Sequence, residues 1–462
     1  MSAPSSPTQT DTSRRSEGTD EPILRVEGLE THFPIQTGLF SGGDDRAVRA
    51  VDGVSFTVDE GEVFGLVGES GSGKTTLGRT ILKLVEPTAG EIWYRGQDLA
   101  PLSQKELRPL RRDLSLIFQD PAAALNPAMT IAQGVGHPLR IHGITSSRLE
   151  TRRAVSEMLE RVGLTPAENF LDKYPEDVSG GQKQRLVLAR ALITKPRFVV
   201  ADEPVASLDM SIRARVLELM LELKEDFGLT YLFITHDLAT ARFMCDRMAI
   251  LYLGRFVEVG PSERIFSDAK HPYTRSLLDA IPLPDPDRRW RDKRLPRGEI
   301  PDAIDPPAGC RFHPRCRDAF EVCGWQGRDL IDALEERWTD VDEDTFEREL
   351  ALVGGSLDDV TVDGDLVRFP TDDASALASW LEEHGPELPT AVHTAVTDVT
   401  TDGGAVVVRF RSGPDPELQE VAGRGVACHL HGVTVREGGD HVGDPNPAEL
   451  AQHEPPTPSW ER

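Results

Sequence analysis

Eight residues, GESGSGKT at 68–75, have the composition and spacing of a turn that holds a phosphate chain. Gly68, Gly71 and Gly73, with Glu69, Ser70 and Ser72 between them, let successive backbone N–H groups close around an anion without Cβ atoms in the way. A helix starting at this turn adds the positive end of its dipole. Lys74 then neutralises β- and γ-phosphate charge, Thr75 offers a hydroxyl to Mg²⁺, and Thr76 follows in the same helical turn. A second site signal is FVVADEP, where Asp202 and Glu203 close an apolar run. Two acids at the carboxyl end of a buried strand suit a division of labour, one supporting the Mg²⁺ shell and the other activating water.

Four further stretches fall in a telling order: FQDP with Gln119, VSGGQKQR at 178–185, the triplet Ser207, Leu208, Asp209, and ITHD with His236. With the phosphate turn and the acid pair, they resemble an ABC-type ATPase at every step. The resemblance implies a role for each. Gln119 senses Mg²⁺ and the partner subunit, Asp202 supports Mg²⁺, Glu203 is the general base, and His236 contacts the γ-phosphate. Ser179, Gly180, Gly181 and Gln182 form the signature that closes the ATP site of another subunit, and Asp209 belongs to the same shared boundary. One chain carries one signature and one phosphate turn, so catalysis implies a dimer. Val178 stands where the family usually has Leu. The family's adenine-stacking aromatic must precede an extended loop at 36–47; Phe33 is the candidate, and an ordinary core or edge phenylalanine is the other reading.

Finer resemblance points to the ATP-binding subunits of oligopeptide, dipeptide and nickel importers, over 23–323 and again at 428–431. It rests on FQDPAAALNP at 118–127, HPYTRSLLDAIP at 271–282, GCRFHPRC at 309–316 and VACHL at 426–430. The resemblance implies import of peptides or a similar small solute, two permease subunits, an external solute-binding protein and a second ATPase subunit, identical or related. It implies a peripheral place on the cytoplasmic face of the cell membrane, with permease coupling helices docking just after Gln119. The rival is a soluble ABC ATPase acting on ribosome or DNA.

The five cysteines are Cys245, Cys310, Cys316, Cys323 and Cys428. An odd number without a secretory signal argues against a disulfide framework. Cys245 lies in an apolar helical pattern and reads as core. The spacing of the other four matches neither the common zinc-ribbon pairs nor the ferredoxin run. In the importer family, similarly placed cysteines imply a 4Fe-4S cluster. Zinc, with His313 or His429 replacing a thiol, and reduced structural thiols remain the alternatives.

The elements that must position these residues follow from hydrophobic periodicity. Strands are expected at 23–26, 54–58, 63–67, 198–201, 231–234 and 249–253. Helices are expected from Gly73 to Pro87, at 148–162, at 181–193 and at 212–223. Strands alternating with helices give an α/β fold. The expected plan is an ABC-type P-loop ATPase core at 23–281 with a helical subdomain at about 120–195, then a C-terminal Cys-containing region at 282–323 and 428–432. It is interrupted by a small acidic α+β insert at 324–427 and flanked by disordered tails at 1–22 and 433–462.

Charge narrows the partners. The 462 residues carry 51 Lys and Arg against 77 Asp and Glu, a net charge of −26, which argues against a basic nucleic-acid-binding face. The acidity is concentrated in 324–427, where 7 Arg face 24 Asp and Glu. That suits a surface subdomain kept soluble by its charge, with partner binding the alternative. No run of about 18 apolar residues occurs, and the first residues lack the apolar core of a secretory signal. The expectation is a soluble, cytoplasmic chain.

Overall fold

The computed structural model describes residues 21–35, 46–281 and 295–432. The expected tails, apart from Glu21 and Pro22, lie outside the described residues, as do 36–45 of the loop before Ala47 and the proline-rich connector at 282–294.

The first three strands are β1 (Leu24–Pro34), β2 (Ala47–Val58) and β3 (Val63–Val67). Every residue of β3 is buried, because the strand is covered on both faces. Val63 and Val67 enter one core, and Phe64 and Leu66 enter another on the opposite face. With β4 (Ala89–Tyr94) and β5 (Gln97–Asp98), the first two strands form an antiparallel sheet in the order β2-β1-β4-β5. It packs on the Phe64 face, where the ring of Phe56 stacks on that of Phe64 at 5.0 Å.

The main sheet contains β3 with β6 (Leu114–Ile117), β7 (Phe198–Asp202), β8 (Thr230–Thr235), β9 (Arg247–Tyr252) and β10 (Arg255–Pro261). From β6 through β7, β8 and β3 to β9 the neighbours are parallel, and β10 then turns back antiparallel. Between β6 and β7 come the subdomain helices, chiefly Arg148–Arg161 and Gly180–Leu192. Their Val155, Leu159, Leu186 and Leu188 share one core with Val199 and Ala201 of β7. Among the described residues, no helix is long and apolar enough to cross a membrane.

Two boundaries differ from the sequence expectation. β1 runs on to Pro34, because its polar residues line the solvated face of an antiparallel sheet. The helix expected to reach Pro87 is Lys74–Ile81, and Lys83, with φ of 52°, breaks the helical backbone soon after. Cys245 is buried as expected, at the end of the helix Leu238–Met244.

The acidic segment folds around its own core, built from Trp325, Leu334, Phe369, Leu377, Val408 and Phe410. Its sheet runs β11-β12-β14-β13, from β11 (Thr361–Asp363), β12 (Leu366–Pro370), β13 (Val396–Thr401) and β14 (Ala405–Phe410). Helices Gly327–Asp340, Glu343–Leu352 and Ala374–His384 accompany it. The chain enters and leaves through a neck of glycines. A Cβ on Gly413 would stand 2.5 Å from Gly324 Cα, and one on Gly324 would stand 2.2 Å from Ala308 O. Residues 419–426, expected to lie in the insert, instead form β15 (Gln419–Glu420) and β16 (Gly425–Val426), and β16 pairs with β10 at the edge of the main sheet. β10 offers a free edge there, and pairing satisfies its backbone groups.

The neck predicts an asymmetry between two glycines. Gly324→Ala, at φ of 110° and against backbone, should destabilise by about 3 kcal/mol. Gly403→Ala, at φ of 54° with open space around it, should cost about 1 kcal/mol. Denaturant titration of both variants would measure the difference, and equal losses would remove the neck as the constrained point.

Candidate active site

The phosphate turn joins β3 to the helix Lys74–Ile81. Gly71 and Gly73 have φ of 80° and 104°, the left-handed region. Cβ atoms on Gly68 and Gly73 would lie 2.2 Å from Leu251 O and 2.0 Å from Ala50 O. The turn is thus pressed between the backbones of β9 and β2. Lys74 is only 5% exposed, and its Nζ donates to Gly68 O at 2.8 Å, Glu69 O at 2.7 Å and Ser72 Oγ at 3.3 Å. Burial pushes its pKa down, against the pull of the Glu203, Asp202 and Glu69 carboxylates. The ammonium is folded back onto the carbonyls of its own turn.

The acid pair stands beside it. Thr75 Oγ1 donates to Asp202 Oδ1 at 2.9 Å, and burial raises the Asp202 pKa against that bond and Arg79. Glu203 has φ of 46°, a strained value for a residue with a Cβ, and its N–H donates to Ile234 O at 3.0 Å. Gln119 Nε2 donates to Glu203 Oε2 at 3.0 Å, and His236 Nδ1 lies 3.0 Å from Oε1. Gln119, Glu203 and His236 follow the carboxyl ends of β6, β7 and β8, three adjacent parallel strands. The sheet therefore brings together residues separated by more than a hundred positions, at the end where open α/β sheets bind ligands.

The signature lies apart from this cradle. Ser179 caps the helix Gly180–Leu192, its Oγ accepting from Gln182 N–H at 3.4 Å while its own N–H donates to Gln182 Oε1 at 3.0 Å. A Cβ on Gly180 would meet nothing within 4 Å, and one on Gly181 would touch Ile212 of the helix Met210–Phe227. Asp209 caps that helix, accepting from Ile212 N–H and Ser211 N–H at 3.1 Å each, and these bonds lower its pKa. Among the described residues, no hydrogen bond or ion pair joins 179–182 to 68–76. Phe33 sits at the end of β1, 42% exposed and opposite Val48, two residues along β2 from the Ala50 carbonyl that meets Gly73.

Cys310, Cys316, Cys323 and Cys428 line one small buried cavity with His271, Phe312 and Phe320, and all four are free thiols. The Cys323 sulfur receives the Phe320 N–H at 3.5 Å, and backbone N–H groups near the other three sulfurs oppose part of the effect of burial. Burial pushes every one of these thiols up, Cys310 to about 11. Both nitrogens of His313 are engaged, Nδ1 with Cys310 O at 2.8 Å and Nε2 with Asp329 Oδ2 at 3.2 Å. His429 Nε2 lies 3.1 Å from Pro414 O.

Two side chains absent from the sequence expectation also reach the phosphate turn. Arg315 binds the Glu69 carboxylate, and the Tyr273 hydroxyl accepts the Glu69 N–H. Both lie in stretches notable in the sequence, HPYT and GCRFHPRC, where the cysteines alone carry a chemical signature.

A phosphate turn, an acid pair at a strand end and a separate capped signature define an ABC-type ATPase. Residues 51–206 match the family model described as ABC transporter, and 257–323 match the oligopeptide/dipeptide transporter C-terminal region. The chain is 45% identical over 315 residues to the putative oligopeptide transport ATP-binding protein YkfD of Bacillus subtilis, covering 68% of this chain and 93% of the relative. It is 47% identical over 307 residues to a putative peptide import ATP-binding protein of Brucella ovis, covering 66% and 92%. Among solved structures, the dimeric ATP-binding cassette MJ0796 with ADP and Pi is 29% identical over 52% of this chain and 99% of that one, with a TM-score of 0.47. The chain belongs to the ATP-binding proteins of the oligopeptide/dipeptide branch of the ABC transporter family, and it is an ATPase.

Lys74→Ala removes the one buried cation of the turn, so ATP affinity should fall about tenfold or more while the unfolding temperature shifts little. Equilibrium titration with Mg-ATP would measure it, and unchanged affinity would take Lys74 out of the phosphate site.

Proposed function

We propose that the chain hydrolyses ATP to drive import of oligopeptides, dipeptides or a similar small solute. It works at the cytoplasmic face of the membrane with two permease subunits, an external solute-binding protein and a second ATPase subunit. The carrying observation is Glu203, held between Gln119 and His236 beside Lys74, Thr75 and Asp202. The peptide substrate is supported by the peptide-transport relatives, and the docking of permease helices just after Gln119 rests on the family resemblance.

Phosphoryl transfer asks for positioning and charge stabilisation more than for covalent chemistry. Backbone N–H groups of 68–76 would wrap the phosphates, with Lys74 turning from the Gly68 and Glu69 carbonyls to the β- and γ-phosphates. Thr75 and Asp202, with Gln119, would hold Mg²⁺, which neutralises charge on the phosphate oxygens when bound. Glu203 takes the proton of the attacking water, and its two bonded neighbours fix the carboxylate while His236 faces the γ-phosphate. Ser179, Gly180, Gly181, Gln182 and Asp209 act on the nucleotide of the second subunit, for which the open space at Gly180 leaves room. Phe33 stacks on the adenine; its exposure and its pairing with β2, whose Ala50 meets Gly73, support this role.

At the cysteines the family resemblance implies a 4Fe-4S cluster, and the residues fit it. Four free thiols share one cavity, and four thiolates are what such a cluster needs. A single zinc ion bound at ~2.3 Å would bring four sulfurs to roughly 3.8 Å from one another. Among the described residues, no three of these cysteines have their sulfurs within 4.8 Å of one another, and both nitrogens of His313 are taken. A cluster would be held by the four thiolates of Cys310, Cys316, Cys323 and Cys428.

Glu203→Gln should bind Mg-ATP with affinity near that of the unaltered chain and lose at least about a hundredfold in turnover. Steady-state phosphate release would show it, and undiminished hydrolysis would refute the assigned base. Protein purified without oxygen should hold about four irons and four sulfides per chain, lost in Cys428→Ser. Because burial raises the thiol pKa values, loading metal onto thiolates releases protons and weakens as pH falls. Zinc alone, or no metal, would reject the cluster.

A further inference from the structure

The C-terminal cysteine region touches the nucleotide site. Arg315, the residue before Cys316, donates from Nη1 to Glu69 Oε2 at 2.8 Å and from Nη2 to Oε1 at 3.3 Å. This is the two-pronged pairing of a guanidinium with a carboxylate. Tyr273, fully buried, accepts the Glu69 backbone N–H on its hydroxyl at 3.0 Å. Glu69 is the second residue of the phosphate turn, and its carbonyl also receives Lys74 Nζ.

Both contacts lead back to the thiols. The rings of Tyr252, Tyr273 and Phe312 pack on one another at 4.7, 5.1 and 5.3 Å between centroids. Phe312 lies between Cys310 and Cys316 in the chain and lines the cavity of the four thiols. Arg315 N–H donates to Phe312 O at 3.0 Å, so the segment 310–316 is one tight turn with thiols on one side and the Glu69 clamp on the other. The charge logic is direct. An unpaired Glu69 carboxylate would repel the phosphates bound one residue away, and Arg315 cancels it.

We propose that Arg315 and Tyr273 are positioning residues of the phosphate turn, and that through them ATP affinity depends on whether the four thiols are ligated or released. The second half rests on the reading of the cysteines as a metal centre. Releasing Cys316 from its ligand loosens the 310–316 turn, withdraws Arg315 and leaves Glu69 uncompensated.

The test is the dissociation constant for Mg-ATP of the full chain, with a melting curve and iron and sulfide analysis on the same samples. Arg315→Met should weaken ATP binding roughly tenfold and Arg315→Lys less. Tyr273→Phe, which removes only a hydroxyl and keeps the packing, should weaken it about threefold. Cys316→Ser should weaken ATP binding in the unaltered chain and add nothing in Arg315→Met. Unchanged affinity in both Tyr273→Phe and Arg315→Met overturns the positioning role, whatever the melting curves do. Additive losses from Cys316→Ser and Arg315→Met overturn the coupling, as does an unchanged affinity in Cys316→Ser. A metal-free unaltered chain refutes the metal reading on the analysis alone, and the effects of Arg315 and Tyr273 then still decide the positioning role.

Discussion

A lysine kept almost dry inside a turn of glycines is the interaction on which the rest of this structure depends. The ammonium of Lys74 loses hydration on burial, which lowers its pKa, and two carbonyls with the carboxylates of Glu203, Asp202 and Glu69 oppose that cost. That arrangement needs a backbone path only glycine follows easily, which is why strands from both sheets can press against Gly68 and Gly73. The two cores on either face of β3 hold those strands in place. Fold and site are in this sense one problem: the main sheet positions the turn, and the turn gathers the carboxylates around Lys74.

The second constraint is placement of the acids. Glu203 sits in a left-handed conformation at the end of β7, with neighbours reaching in from the ends of β6 and β8. Such strain persists only where the surroundings over-determine it. The signature at Ser179 faces elsewhere, capping its own helix with nothing against Gly180.

Much of this was legible in the sequence because the signals were local. The run Val63–Val67 ahead of the glycines, the acids closing Phe198–Asp202 and the apolar spacing of Arg148–Arg161 each state their element within a few residues. What escaped was set by contacts distant in the chain. The helix Glu343–Leu352 and strands β11 to β13 are short or largely exposed, so their apolar periodicity is weak. The neck of Gly324 and Gly413 depends on two backbones meeting across the insert, and the return of 419–426 to the main sheet depends on the open edge of β10. Arg315 and Tyr273 matter because they reach Glu69, across more than two hundred residues of sequence, and no periodicity encodes that.

Amide hydrogen exchange of the full chain, with and without Mg-ATP, tests the central claim most directly. The account predicts slower exchange across 68–76 and, with it, across 310–316, while 325–410 is unchanged. No slowing at 68–76, or a change confined to 325–410, would contradict it.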